Sequence, residues 1–574
     1  MPPRRGNARV LAVARGDEPA DLLLKNGSVF VPGTREWLST DLAIADGTIA
    51  GWGERDAAET IDVSGAALTA AFVDAHMHLE STKLWVDEFV RAVLPHGTTA
   101  VAADPHEIAN VFGVPGVVAL AQAAAKLPFT FGICAPSCVP ASQFESPGAE
   151  LGRAELAELL DEHGAIGIAE FMDFPGVVSG DPEVLAKIAT AGHKRIDGHA
   201  PGVSGRQLDA YLAAGVESDH ECTVLEEAEE KRRKGMWIFI REGSASRNLA
   251  ALVGTVLRHG TDRVALCTDD REPETLLHAG HANDCVRLAV AHGVKLEDAL
   301  VMVTSNPADY HHFDHLGWLA PGYQADVLCF DDLSSLEPAR VWQAGKLVAM
   351  NGAIVPGAVP SMAAPDWMRN SVHLDTPPGP SAFALDPPPG GRARVIGIEA
   401  RSLTTRDLVL DVTDPKSKVE RIAVVERHRR TGRIGLGYAH GFGLTHGAIA
   451  STVAHDAHNC MVVGALDSSG PTDMAVAVAR LAEIGGGQVA VRDGRVLAEV
   501  RLPIGGLMSD RSIEEVAAEM RVLADAATNG LGVTIDAPFM QLSFLGLSVL
   551  PELRITDKGL VDVMKFALAD VAAP

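Results

Sequence analysis

Leu68-Thr-Ala-Ala-Phe-Val-Asp-Ala-His-Met-His-Leu-Glu80 is an apolar run that ends in two histidines one residue apart. On an extended strand, residues i and i+2 face the same side, so His76 and His78 can aim at one point. Alone, the pair is two ordinary histidines among the 21 in the chain. It gains meaning because later apolar runs end in Glu170, His199, His220 and Asp269. Imidazole and carboxylate are ligands of borderline divalent metals.

From about residue 68 to 292, β-rich apolar runs alternate with helical stretches. Strands are expected near 68–78, 98–103, 129–134, 165–170, 195–199, 215–220, 236–241 and 263–269. Amphipathic or Ala-rich segments such as 152–163, 182–192 and 205–214 lie between them. Eight strands with intervening helices is the count of a (β/α)8 TIM-type barrel of the α/β class, assigned to residues 71–315. In such barrels the chemistry sits at the C-terminal strand ends. The six metal-type side chains fall there: His76 and His78 on strand 1, Glu170 on strand 4, His199 on strand 5, His220 on strand 6, Asp269 on strand 8. One histidine in such a place is most often structural, but six such residues at the right ends are hard to obtain by chance. Asp104, His106 and Glu107 close strand 2 and face the same mouth, although Asp104-Pro105 also reads as a plain helix start.

Short strands and turns flank this region. Asn26-Gly27 and Asp46-Gly47 are hairpin signals, and 316–331 and 341–352 return to the same style. Residues 1–70 and 316–356 are therefore expected to form one small β-sandwich domain. Residues 357–391, with Pro377-Pro378 and Pro387-Pro-Pro389, read as a Pro-rich linker, and 392–574 as a C-terminal α+β domain. His311-His-Phe-Asp-His315 reads as a surface turn after the barrel, with a second metal site as the alternative. Gly485-Gly-Gly487 lacks the following Lys-Ser/Thr of a phosphate cradle and reads as a tight turn.

The net charge of −26 disfavours nucleic acid and anionic membrane as partners. Lys231-Arg-Arg-Lys234 follows an acidic stretch and reads as a solvated helix face. Seven scattered cysteines suit unpaired thiols in a reducing compartment. There is no apolar signal core and no stretch apolar enough to span a bilayer; a soluble cytoplasmic protein is expected.

The strand-end pattern resembles the amidohydrolase superfamily: His-x-His on strand 1, a bridging anion on strand 4, histidines on strands 5 and 6, and Asp on strand 8. Many relatives use a carbamylated lysine on strand 4; Glu170 is an anion without modification. The resemblance implies a binuclear site, with His76, His78 and Asp269 on one metal, His199 and His220 on the other, and Glu170 bridging at a pKa lowered by both. Mn or Fe, with Zn as a further option, suit these ligands. Two cations sharing a water make hydroxide available near neutral pH, and Asp269 would pass its proton to the leaving group.

Longer motifs narrow the resemblance. His76-Met-His-Leu-Glu-Ser81, Asp104-Pro-His-Glu-Ile-Ala-Asn110, Ser137-Cys-Val-Pro-Ala141, Gly167-Ile-Ala-Glu-Phe-Met172, Gly198-His-Ala-Pro201 and Thr268-Asp-Asp270 are similar to the adenine deaminase family. So are Gly447-Ala-Ile-Ala-Ser-Thr-Val-Ala-His-Asp-Ala-His-Asn459 and Leu502-Pro-Ile-Gly-Gly-Leu-Met-Ser509, in a segment that most amidohydrolases lack. The resemblance implies hydrolysis of free adenine to hypoxanthine and ammonia, a purine-salvage reaction with attack at C6. The ring nitrogen beside C6 must gain a proton, which gives Asp104, His106 or Glu107 a place as second acid. Ser137, Asp270, His455 and Asp456 are candidate substrate contacts, the last two either on a loop over the barrel mouth or in a buried turn. The His-x-Glu and Pro-Cys-x-x-Cys pattern of polynucleotide deaminases is absent, so the implied partner is a small purine base. A homo-oligomer, most simply a dimer, is expected. The alternatives are another amidohydrolase acting on a cyclic amidine or amide, or on an N-acetylated sugar whose phosphate would need a clamp such as Arg241 or Arg271. A non-catalytic barrel scaffold would have lost ligands, and all six are kept.

Overall fold

The computed structural model describes residues 6–244, 246–399, 402 and 404–573. It divides the opening stretch at Ala71: Ala67–Ala70 joins a flanking sheet, and Phe72–Met77 begins a ring of parallel strands. Phe72–Met77, Thr98–Ala103 and Thr130–Ile133 pair in order. A bridge from Ala135 to Ile168 leads to Gly167–Phe171, which pairs with Arg195–Gly198. The Glu217 amide donates to the Ile196 carbonyl at 3.0 Å and carries the ring to Ser218–Asp219. Trp237–Arg241 and Val264–Cys267 follow, and a Met77–Asp269 bridge closes the circle. This is a TIM-type barrel with additional units around it. Its strands are covered on both faces, so they read as unbroken apolar runs rather than alternating ones; Thr98–Ala103 is buried at every position. A Cβ on Gly198 would lie 2.1 Å from the Ser218 carbonyl oxygen. Glycine alone permits that approach, and it sets His199 beside His220.

Residues 311–315 form the expected turn after helix Ser305–Tyr310, exposed at His312 and Asp314, but His311 itself points inward and is buried. Its Nε2–H donates to the Ala75 carbonyl at 2.7 Å, its ring packs edge-on against Tyr310, and burial pushes its pKa down to about 3. It is a neutral interior group, not a metal ligand.

The segments on either side of the barrel, expected as one small β-sandwich domain, join in one continuous nine-stranded sheet. Its spine is Ala20–Val31, which pairs with Glu36–Ala45 on one edge; on the other, its first half pairs with Ala57–Asp62 and its second with Ala67–Ala70. Asp46-Gly47 is a hairpin turn, as read from the sequence, but Asn26-Gly27 is a bulge inside the long strand. A Cβ on Gly27 would meet Leu68 at 2.6 Å, so the glycine serves a close strand approach instead of a reversal. Val327–Phe330, from after the barrel, pairs antiparallel with Ala67–Ala70. Leu24, Val29, Leu68 and Val327 pack on one face; on the other, helix Ala8–Arg15 covers Leu23 and Ala43 with Val13.

Residues 357–391 are tied down along their length rather than a free linker. Met368 and Phe383 are fully buried, the Met362 amide donates to Asp87 at 2.9 Å, and the Met368 carbonyl accepts from Gly505 at 2.8 Å. Prolines suit such an extended strap because it needs few backbone donors. Beyond it lies an eight-stranded sheet running from Thr405–Asp411 to Arg495–Arg501. Helix Gly470–Ile484 packs Met474, Val478 and Leu481 on one face of it, while Ile422, Ile449 and Met461 on the other face join the core shared with the barrel. No helix among the described residues is long and apolar enough to cross a membrane. All seven cysteines are buried and free.

Candidate active site

Strand ends 1, 4, 5, 6 and 8 converge on one small cavity of about 40 Å³. His78, Glu170, His199, His220 and Asp269 line it; His76 stands just behind, stacked on His220 with ring centroids 4.2 Å apart. Glu170 is central: Oε2 is 2.6 Å from His199 Nδ1 and 3.3 Å from His220 Nε2, and Oε1 is 3.4 Å from His78 Nε2. Asp269 Oδ1 is 3.0 Å from His78 Nε2 and 3.6 Å from His76 Nε2. His78 Nδ1 donates to the Asp104 carbonyl at 3.1 Å, which leaves Nε2 free to face the cavity.

Burial works against charge on Glu170, but His199 and His220 hold its carboxyl well below the usual range. Asp269 is likewise held low against burial, by Arg241 first and then His76 and His78. His220 rises to about 9, because Glu170 outweighs burial. His76, by contrast, is pushed down to about 4 by burial and by His220. Protonated imidazoles thus balance the carboxylates, and bound metals would displace those protons. The donor set fits divalent metal ions. It contains imidazole and carboxylate without thiolate, His76, Glu170 and His220 offer atoms within 4.8 Å of one another, as do His76, His78 and Asp269, and the buried His76 Nε2 and His199 Nε2 have no hydrogen-bond partner.

A second layer closes over this set. His106 Nδ1 is 3.2 Å from Asp104 Oδ2 and 3.6 Å from Glu170 Oε1, while Nε2 is 3.7 Å from Asp456 Oδ1. Burial opposes its charge, yet Asp104 and Asp456 raise it well above the usual imidazole range. Asp456 and His455 come from the C-terminal region, 186 or more residues beyond Asp269 in the chain. Their loop is held within the C-terminal region by the fully buried Arg427, whose guanidinium donates to the carbonyls of His458 and Gly505, and is tied to the barrel by Asn459, which donates to the Ser146 carbonyl at 3.1 Å. The His455 ring lies flat on Phe544, centroids 4.4 Å apart. His455, Asp456, Phe544, Leu547 and Leu550 complete the cavity wall.

The remaining expected residues separate. Asp270 lines the cavity. Glu107 is buried behind it, accepting from Ser81 Oγ at 3.0 Å, with His458 Nε2 3.5 Å from its other oxygen. Ser137 does not line the cavity; its hydroxyl donates to the Glu170 carbonyl at 2.8 Å. Asp104 stands behind His106, its Oδ2 in the ion pair with His106 Nδ1.

Two family models match this chain, the amidohydrolase family over residues 67–348 and the adenine deaminase C-terminal domain over residues 399–567. Adenine deaminase 2 of Carboxydothermus hydrogenoformans is 44% identical over 572 residues, which cover 98% of this chain and 99% of that relative. The adenine deaminase of Desulfatibacillum aliphaticivorans is 43% identical over 568 residues, 97% of this chain and 98% of its own. The chain belongs to the adenine deaminase family. A solved adenosine deaminase from Xanthomonas campestris with bound zinc overlaps 59% of this chain and 95% of its own, at 19% identity and a TM-score of 0.46, too loose a likeness to argue from.

In this adenine deaminase family member the two matched regions meet at the cavity. The amidohydrolase match implies divalent metal ions, and the clustered donors agree with it. Sequence reasoning missed Glu221 and the apolar wall of Met172, Phe544, Leu547 and Leu550. Glu221 had one available signal, its place directly after His220 at a strand end. Arg241 is not a free phosphate clamp: it donates to Asp269 Oδ2 at 2.8 Å and grips both Glu221 oxygens, Oε2 at 3.0 Å. Arg271 is equally committed, to the Glu242 and Gly280 carbonyls and to Asp284.

Proposed function

We propose that this chain hydrolyses free adenine to hypoxanthine and ammonia with two divalent metal ions, Mn or Fe before Zn. One observation carries the reading: the barrel's His/Glu/Asp set and the His455-Asp456 loop of the C-terminal region share a single buried cavity. His76, His78 and Asp269 would hold one ion, His199 and His220 the other, and Glu170 both. When bound, the ions make water a usable nucleophile near neutral pH.

The chain's own residues then manage protons and position. Arg241 occupies Asp269 Oδ2, so Oδ1 is the oxygen turned to the reacting centre. Asp269 takes the proton of the attacking water and gives it to the amino nitrogen, which leaves C6 as ammonia. His106, kept charged between Asp104 and Asp456, supplies the proton needed at the ring nitrogen beside C6 and is recharged by the proton that the C6 hydroxyl loses as the carbonyl of hypoxanthine forms. Asp270 and His455 touch the purine from the wall; Glu107 acts through Ser81, which also binds Asp270. Ser137 steadies Glu170 rather than the substrate. We take 1–70 with 316–356, 71–315, 357–391 and 392–574 as the structural units of a cytoplasmic homodimer.

A sugar-phosphate deacetylase is the weaker reading, because Arg241 and Arg271 are both spent inside the protein. A substrate panel tests the choice. With Mn-loaded protein, kcat/KM for adenine should exceed that for an N-acetylated sugar phosphate or a dihydropyrimidine by at least about 10²-fold. Turnover of either of those without turnover of adenine would overturn the proposal.

A further inference from the structure

We infer that Met172 and Leu550 form the barrier that restricts this enzyme to the free base, by closing the cavity at the N9 side of the purine. The inference rests on the proposed attack at C6. In a purine, C6 and N9 lie at opposite ends of the fused rings. If C6 is turned toward the metal-type side chains, N9 points away from them, toward the mouth.

At that mouth the small cavity of about 40 Å³ abuts a much larger cleft of about 1670 Å³ between the barrel loops and the C-terminal region. Four side chains line both spaces: Met172, Leu550, Glu221 and Arg241. The polar half of this partition is fixed, because Arg241 grips Glu221 and Asp269. The apolar half is therefore what a substituent on N9 would have to pass. Met172 and Leu550 belong to one apolar cluster with Phe544 and Leu547, so their side chains support each other across the gap. Met172 follows Glu170 by two residues, and its backbone amide is anchored on Cys138 Sγ at 3.2 Å, so the barrier is registered to a proposed metal ligand.

Beyond the partition there is room for a pentose, and Ser244, Asn248, Thr404 and Gln541 give the cleft hydrogen-bonding walls. Exclusion of 9-substituted purines thus depends on two side chains rather than on lack of space. Removing a few methylene-sized groups from an apolar barrier changes discrimination by roughly 10- to 200-fold.

The test compares adenine with 9-methyladenine, and then with adenosine, on metal-loaded wild type, Met172→Ala, Leu550→Ala and the double variant. The ratio of kcat/KM for 9-methyladenine to that for adenine should rise at least about 10-fold in each single variant and further in the double, where adenosine turnover should first appear. Met172→Leu, which keeps the bulk, should keep the wild-type ratio. If Leu550→Ala does not fold, Met172→Ala against Met172→Leu decides alone. Variants that still deaminate adenine with an unchanged ratio overturn the barrier and leave the reaction standing. A wild type that does not deaminate adenine overturns the reaction and the barrier together.

Discussion

Glu170 shows how much one side chain can carry. Four imidazoles, His78, His106, His199 and His220, approach its two oxygens within 3.6 Å, and no other carboxylate among the described residues has so many. Glu170→Gln keeps the shape and removes the charge. It should lower bound metal below one ion per chain and cut kcat by at least about 10³-fold, read by metal analysis beside ammonia release. Asp456 makes a contrasting case, since it touches His106 but none of the six expected metal ligands. Asp456→Asn should lower kcat by about 10²-fold while metal content stays at the wild-type level. The six strand-end residues were legible in the sequence because a strand end fixes where its last side chain points. Glu221 and Arg241 were not, because their pairing depends on how strands 6, 7 and 8 sit side by side. Ser137 and Glu107 were placed in the right neighbourhood but face away from the cavity, a distinction of side-chain direction that motif position does not carry.

Among elements, the barrel strands were readable from apolar runs, whereas Asn26-Gly27 was misread because a bulge and a hairpin use the same residues. The Pro-rich segment 357–391 reads as a linker, and its packing against its neighbours was not legible because composition reports backbone stiffness and not burial of single residues such as Phe383. The loop after barrel strand 3 and the segment after helix Pro538–Phe544 are joined by a buried latch: Ser548 donates to Glu145 and meets Ser142 Oγ at 2.6 Å. Burial, and then Asp456, push the Glu145 carboxyl up to about 8 from an ordinary 4.5. The folded state therefore holds a proton that the unfolded chain releases. The stability this adds is full below about pH 4.5 and is lost as the pH rises through about 8. Glu145→Gln keeps the neutral form at every pH. Thermal melts should show the wild-type Tm falling relative to that of Glu145→Gln between pH 5 and 8 and levelling above, by several degrees in total.

For the whole molecule, the sequence pointed to a barrel flanked by segments from both sides and followed by a separate C-terminal region. It left His455-Asp456 between a loop over the barrel mouth and a buried turn, and what brings this region to the cavity is a set of contacts hundreds of residues apart, such as Asn459 and Arg433 on Ser146. The acidic surface, at net charge −26, accords with a small neutral substrate rather than a polyanion. The proposed chemistry makes activity a property of the filled cavity as a unit. The most direct measurement is therefore a titration of metal-free protein with Mn(II), following hypoxanthine and ammonia released from adenine. The account predicts equal yields of the two products, with a rate that climbs to a plateau at about two ions per chain. Adenine left unchanged by protein that holds its full complement of metal would contradict it.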